Sequence, residues 1–265
     1  VTDITCAVPI GHDLGLLKWC ILNARERAWV DHDWLVYNWK NADDDPQYAA
    51  AIKDWCQVEG LNYVSYMAPA KSEFADHTAW FLHCLYNCWN GVYKHAKTPW
   101  VARMGSDQFF SEGWLKALWD AAERYGDRAV FHCWTVESDA AKHSRHPIRN
   151  WGVTWQTFDV DQFDLYAREM AHKFADRLVL APHECPLSYL HPTRGMQLRP
   201  DSCTWLQARA LWEEFGPLDD VITAEGVTGD VAVHDRMTDA GIKGYLVMKS
   251  TSFHLVRGES REVQG

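Results

Sequence analysis

The sequence predicts an α/β fold with a mostly parallel sheet. Strand-like and helix-like patterns alternate over about the first 130 residues, the signature of a sheet covered by helices. Polar turns follow Pro9, Asn38 and Met104, and ligands of parallel sheets bind at such strand ends. Apolar residues make up 47% of the chain and charged residues 23%, the balance of an ordinary globular domain rather than of a disordered chain, a collagen or a coiled coil.

Each element has its own local signal. Residues 3–10 (DITCAVPI) read as a short buried strand ending near Pro9. Leu14, Leu17, Cys20 and Ile21 recur at helical spacing, so 14–28 reads as an amphipathic helix. Residues 33–38 (DWLVYN) read as the second strand. The acidic loop after it contains Asp43, Asp44 and Asp45, read as a solvated turn rather than a metal cluster. Pro46 suits a helix start, and Ala49, Ile52, Lys53 and Cys56 continue the helix. Residues 61–66 form a third strand, about 74–96 a long helix ended by Pro99, and 99–104 (PWVARM) a fourth strand running into Gly105-Ser106-Asp107. A helix from about Glu112 to Tyr125 and a strand at 128–134 complete this half. Helices fit 161–176 and 203–215, the latter broken by Gly216-Pro217. A short helix fits 230–240 and a strand 244–248. With no repeat, low-complexity stretch or clear linker, the reading is one domain over 1–265, divided into halves at 1–135 and 136–265.

Composition narrows the function. The charge of −10 argues against a broad basic surface for nucleic acid. No apolar run reaches the roughly 18 residues of a membrane helix, and no secretory signal or N-glycosylation sequon stands out, so a cytoplasmic location is expected. The eight cysteines do not form the dense framework of a small secreted domain and read as reduced core thiols. Cys84 and Cys88 share a helix face beside His83, but no zinc signature accompanies them. His183-Glu184-Cys185 matches no metal motif. Nucleophile-elbow, Walker and dinucleotide fingerprints do not occur. The 15 tryptophans suit packing, with a few available to stack on sugar or base rings. Residues 137–160 are polar and carry His143, Arg145, His146 and Arg149, either a solvated loop or a basic lid over an anionic ligand.

Six segments then stand in a telling order: V-P-I-G-H-D-L-G-L-L-K-W-C-I at 8–21, W-L-V-Y-N-W-K-N-A-D-D at 34–44, A-K-T-P-W-V-A-R-M-G-S-D-Q-F-F at 96–110, W-L-Q-A-R-A-L-W-E-E-F-G-P-L-D-D at 205–220, T-G-D-V-A-V-H-D-R-M-T-D-A-G at 228–241 and T-S-F-H at 251–254. Together they resemble the GT-A glycosyltransferases, in particular the inverting enzymes of family 2. The resemblance implies a Rossmann-like GT-A sheet with a C-terminal acceptor-side extension. It also implies transfer of a sugar from a nucleotide-sugar donor to an acceptor hydroxyl. Pro9, Asn38, Ser106 and Asp107 would contact the donor, although Pro9 and Asn38 also suit plain turns. The segment at 96–110 sits where the family carries its Asp-x-Asp metal motif, with Gly105 in place of the first Asp. Gly229 replaces the Glu that usually precedes the base.

Departure of a diphosphate builds negative charge that a divalent cation stabilises as a Lewis acid. Mn²⁺ or Mg²⁺ takes oxygen ligands, and Mn²⁺ accepts imidazole more readily. Asp107 and His254 are the candidate ligands. Asp107 could instead cap a helix over Gln108–Leu115, and His254 could be a structural histidine. An inverting reaction needs a carboxylate to take the acceptor proton. Asp230 is the candidate, with Glu225 in reserve, though Asp230 also suits a helix cap and Glu225 a loop. Arg236, nearly two turns beyond Asp230, reads as a helix anchor. Trp205 could stack on an acceptor ring or lie in the core. The acceptor could be a glycan or, given the aromatic and His/Arg-rich 132–155 region, a hydroxylated DNA base. A non-catalytic sugar- or nucleotide-binding module and a sugar-nucleotide nucleotidyltransferase are the competing readings.

Overall fold

The structure is a computed structural model that describes residues 2–10, 14–39, 46–138, 148–152, 154–174, 178–181, 190–191, 195–196, 204–219 and 229–255. In chain order the elements are β1 (Ile4–Ile10), α1 (Leu14–Glu26), β2 (Asp33–Asn38), α2 (Pro46–Val58), β3 (Asn62–Ser65), a 3-10 turn (Lys71–Glu73), α3 (His77–His95), β4 (Trp100–Arg103), β5 (Gln108–Phe110), α4 (Trp114–Tyr125) and β6 (Ala129–Ser138). They continue with β7 (Ile148–Arg149), α5 (Val160–Lys173), β8 (Leu178–Ala181), β9 (Leu190–His191), β10 (Gly195–Met196), β11 (Trp205–Ala208), α6 (Arg209–Phe215), α7 (Gly229–Asp239) and β12 (Lys243–His254).

The main sheet runs β3-β2-β1-β4-β11-β6-β12-β5. β1, β2, β3 and β4 are parallel, and β6 and β12 are parallel to each other. β11 lies antiparallel between β4 and β6, which leaves those two strands pointing the same way. The carboxyl ends of β1, β4, β6 and β12 therefore share one end of the molecule.

β1 is buried along its whole length because helices cover both faces. Its alternate residues Ile4, Cys6, Val8 and Ile10 pack with α1, α2 and α4 through Leu17, Ile21, Ile52, Trp114 and Leu118. Ala7 points the other way, into the layer of Leu35, Cys84, Cys88, Val92 and Val101 under α3. α4 repeats Trp114, Leu115, Leu118, Ala121 and Ala122 on one face, a stripe at helical spacing, all buried. Asp76 caps α3 through Ala79 N at 2.8 Å, and Asp159 caps α5 through Gln162 N at 3.1 Å. Arg27, after α1, grips Asp164 of α5 with both guanidinium nitrogens at 2.6 and 3.1 Å.

Cys84 and Cys88 are fully buried packing residues, and burial pushes the Cys84 thiol up to about 11. The six cysteines among the described residues are free thiols. No helix among them is long and apolar enough to cross a membrane.

Three elements differ from the sequence reading. Residues 205–208 form β11 rather than a helix start, because β4 and β6 would otherwise face each other with open ladders, and only 209–215 is helical. Gln108–Phe110 forms β5 against β12, so Asp107 does not cap a helix over 108–115. The last strand runs on to His254 instead of stopping at 248.

Candidate functional site

The link from β4 to β5 is only four residues long, although β11, β6 and β12 lie between those strands in the sheet. It therefore passes across the carboxyl end of the sheet, carrying Gly105, Ser106 and Asp107. The turn is stapled from several sides. Met104 N donates to Ala7 O at 3.0 Å, Gly105 N to the Gln108 side-chain oxygen at 2.9 Å, and Leu255 N to Asp107 O at 3.0 Å. Buried Asn23 of α1 accepts from Phe110 N at 3.0 Å and donates to Gln108 O at 3.4 Å. These bonds fix the backbone from which the half-buried Asp107 side chain projects.

His254 reaches the same point from the far end of the chain. β12 pairs Val247 with Cys133 and then Thr251 with Trp134, so residues 248–250 are extra on its side. Such a bulge re-aims the rest of the strand, since it changes the face to which each later side chain points. The bulge is clamped by Ser111. Its Oγ accepts from Thr251 N at 3.0 Å, and its own N–H donates to Thr251 O at 2.9 Å. Ser250 Oγ and Cys133 Sγ lie 2.9 Å apart inside the core. Beyond the bulge, His254 pairs with Glu137 of β6 on one side and Gln108 of β5 on the other.

The resulting cluster has three members. His254 Nε2 lies 3.2 Å from Asp107 Oδ2, and its Nδ1 lies 3.5 Å from Glu137 Oε1. The side chains of Asp107, His254 and Glu137 are 30%, 18% and 9% exposed, so the pair opens outward and Glu137 backs it. A carboxylate and an imidazole suit Mn²⁺, and neighbouring ligands on an octahedral cation with bonds of about 2.1 Å stand about 3 Å apart. Asp107 and His254 fit that spacing. Among the described residues no group of three or more His, Cys, Asp or Glu is arranged to hold a metal. Among the described residues Asp107 and His254 are the two groups with that spacing.

The other expected residues divide. α7 returns the chain to the start of β12, so its first residues lie at the carboxyl end of the strands. His234 sits beside His132 of β6, ring centres 5.8 Å apart, and Asp230 is one turn, about 6 Å, nearer that end. Gly229 packs against the backbone of Asp219. A side-chain carbon there would collide with Asp219 O, so a Glu at this position has no room. Arg236 does anchor its helix, donating to Phe215 O and Pro217 O at 2.8 and 3.2 Å.

Pro9 is buried one residue before the end of β1, beyond the last β1–β4 pair at Ala7 and Arg103, where an N–H is not needed on that side. Asn38 is fully buried, and its amide donates to Tyr63 Oη at 3.1 Å, which makes it a structural residue rather than an accessible donor contact. Ser106 is half-buried beside Asp107. Trp205 is a core residue of β11, not a stacking platform. It is 3% exposed, donates to Tyr93 Oη at 3.0 Å, and carries the Arg103 guanidinium over its ring at 3.3 Å. Arg149 lies over Tyr166 at 5.3 Å. Glu225, Asp43–Asp45, His143, Arg145, His146 and His183–Cys185 lie outside the described residues.

Two buried groups carry no signal in the sequence. Glu137 is the penultimate residue of β6, beyond the 128–134 stretch that reads as strand in the sequence. Arg103 lies between Trp89 and Trp205, at 3.4 and 3.3 Å from their ring centres. Near it, burial first and the Arg103 charge second hold His234 down at about 3. His132 is lowered well below its ordinary value by burial, then by His234 and Arg103.

A surface groove of about 440 Å³ lies elsewhere, lined by Trp29, Lys116, Arg124, Phe174 and Met248 among others, and shares no residue with the cluster.

No protein-family model and no curated protein sequence matches the chain. Solved structures do. One is a crystal structure of GalNAc-T7 with UDP, GalNAc and Mn²⁺. It is 9% identical and superposes over 97% of this chain with a TM-score of 0.57. The chain spans 44% of that protein's length. At this identity the likeness establishes the fold, a GT-A-like α/β sheet flanked by helices.

Proposed function

We propose that the chain is a metal-dependent glycosyltransferase that moves a sugar, with inversion, from a nucleotide-sugar donor to an acceptor hydroxyl. The convergence of Asp107 and His254 at the carboxyl end of a GT-A-like sheet is the observation that supports it. The UDP and Mn²⁺ bound by the GalNAc-T7 structure make a nucleoside-diphosphate sugar and Mn²⁺ the first ligands to try. One domain over 1–265 would hold both substrates.

Asp107 Oδ2 and His254 Nε2 would hold the cation, with Ser106 beside the donor. When bound, the cation supplies Lewis-acid stabilisation of charge on the departing diphosphate. The acceptor oxygen attacks the anomeric carbon from the face opposite the diphosphate, and the bond from that carbon to the phosphate oxygen breaks. The hydroxyl proton passes to a carboxylate, an effect typically worth about 10²–10⁴-fold. Asp230 is proposed for this role, with Glu225 in reserve. The acceptor is a hydroxyl of a glycan or of a modified nucleic-acid base.

A panel of nucleotide sugars with and without Mn²⁺ tests the reading by thermal shift and by release of nucleoside diphosphate. One donor is expected to raise the melting temperature only with Mn²⁺, since a ligand preferring the folded state stabilises it. The transferred sugar should show the opposite anomeric configuration by NMR. Retained configuration would remove the inverting assignment. Wild-type transfer by both Asp107→Asn and Asp230→Asn at saturating donor would remove the residue roles. Donor binding without turnover would favour the binding module.

A further inference from the structure

We infer that Glu137 is a positioning residue for the cation site: it accepts the Nδ1–H of His254 and thereby leaves Nε2, the nitrogen facing Asp107, with the lone pair a divalent cation takes. The inference rests on the metal reading above and concerns a residue that touches neither donor nor cation.

The geometry carries it. Glu137 and His254 are paired residues of adjacent parallel strands, so their side chains rise from the same face. Glu137 Oε1 lies 3.5 Å from Nδ1 on one edge of the imidazole, an ion-pair distance, while on the other edge Nε2 is hydrogen-bonded to Asp107 Oδ2 at 3.2 Å, the bond that a cation entering between them replaces by moving the proton to Nδ1. Of the two neutral tautomers, only the one with its proton on Nδ1 presents a donor to Glu137 and a lone pair toward Asp107. Burial also separates the two carboxylates. Glu137 is 9% exposed and Asp107 30%, so the outward one suits a ligand and the inward one a support. A buried carboxylate is costly unless something compensates it, and His254 is one group placed to do so. Ligating histidines commonly give their second N–H to a carboxylate, and loss of that partner typically weakens metal affinity about 10–100-fold.

Pairing also explains the bulge. If residues 248–250 paired one-to-one with β6 instead of bulging, the partner of Glu137 would be Thr251 rather than His254. The bulge brings the histidine into register with its support.

The test measures binding of Mn²⁺ alone to the full chain, read from the electron paramagnetic resonance of free Mn²⁺. Glu137→Ala should bind about 10–100-fold more weakly than wild type. Glu137→Gln keeps an oxygen that accepts from Nδ1–H and should stay within about threefold. Equal affinity for E137A and wild type would overturn the inference while leaving the metal reading standing, provided His254→Ala loses binding. Equal weakness of E137Q and E137A would also overturn it, by making charge rather than hydrogen bonding the cause. Failure of wild type to bind Mn²⁺ would overturn both. A second readout needs no Glu137 variant: long-range ¹⁵N NMR of the Mg²⁺-saturated wild type, with His254 assigned by comparison with H254Q. A proton on Nδ1 and none on Nε2 is expected, and the reverse contradicts the inference.

Discussion

His254 Nε2 and Asp107 Oδ2 stand 3.2 Å apart although 147 residues separate them in the chain. Two features create this proximity: the short link from β4 to β5 and the bulge in β12. Neither belongs to the regular sheet, and both deliver a side chain to the carboxyl end of the strands.

Removing either member should therefore cost catalysis and metal response together. Asp107→Asn and His254→Ala are expected to lower kcat/KM by about 10²–10³-fold, the size typical of a lost electrostatic contact in a transition state. Without metal, Asp107→Asn should melt close to wild type, since that side chain is 30% exposed, whereas His254→Ala should melt lower because it leaves the buried Glu137 carboxylate without its imidazole. Steady-state kinetics across a Mn²⁺ series, with melting curves alongside, checks both halves.

The bulge depends on Ser111, which both accepts from and donates to Thr251. Ser111→Ala would leave the buried Thr251 N–H without that acceptor, a loss of about 1–3 kcal/mol. Urea unfolding should show the drop. Mn²⁺ affinity should fall too, because His254 lies only three residues beyond Thr251.

Arg103 tests the buried sandwich. Its guanidinium lies 3.4 Å from the centre of the Trp89 ring and 3.3 Å from that of Trp205, and the residue is 1% exposed. A desolvated cation over an indole is worth about 2 kcal/mol, and a lysine ammonium cannot stack flat between two rings. Arg103→Lys is expected to destabilise by about 1–3 kcal/mol in urea, with tryptophan emission shifted to the red.

The same sandwich makes the fold acid-sensitive. His234 is buried and held at about 3 in the folded state against 6.5 when unfolded. Between those values the unfolded chain binds the extra proton, so stability rises with pH across the window and is lost as pH falls through it. From pH 7.5 to pH 5 this group should remove about 2 kcal/mol, and His132 acts in the same direction. Urea midpoints at the two pH values should fall less for His234→Gln than for wild type.

Much of the first half is legible in the sequence. β1, α1, β2 and α2 come from apolar runs, helical spacing and Pro46, all local signals. The structure supports the pairing of Asp107 with His254 but takes Asn38 and Trp205 into the core, because residue type at a strand end does not say which side of the sheet it serves. β5 is three residues long and lies between a turn and a helix, too short for periodicity to register. β11 reads as helix in the sequence because only its antiparallel neighbours make it a strand. The stretch Ser250, Thr251 and Ser252 is polar yet fully buried, which inverts the usual pattern. Ser250 Oγ meets Cys133 Sγ across the core, the Thr251 N–H donates to Ser111 Oγ, and Ser252 Oγ lies 3.1 Å from Thr135 Oγ1. Such long-range partners leave no trace in a linear reading, and Glu137 is hidden the same way.

An anomalous diffraction map from crystals soaked with Mn²⁺ and UDP locates the cation directly. A manganese peak bonded at about 2.1–2.3 Å to both the Asp107 carboxylate and His254 Nε2 is expected. A peak on other residues, or none at these two while UDP is bound, would contradict it.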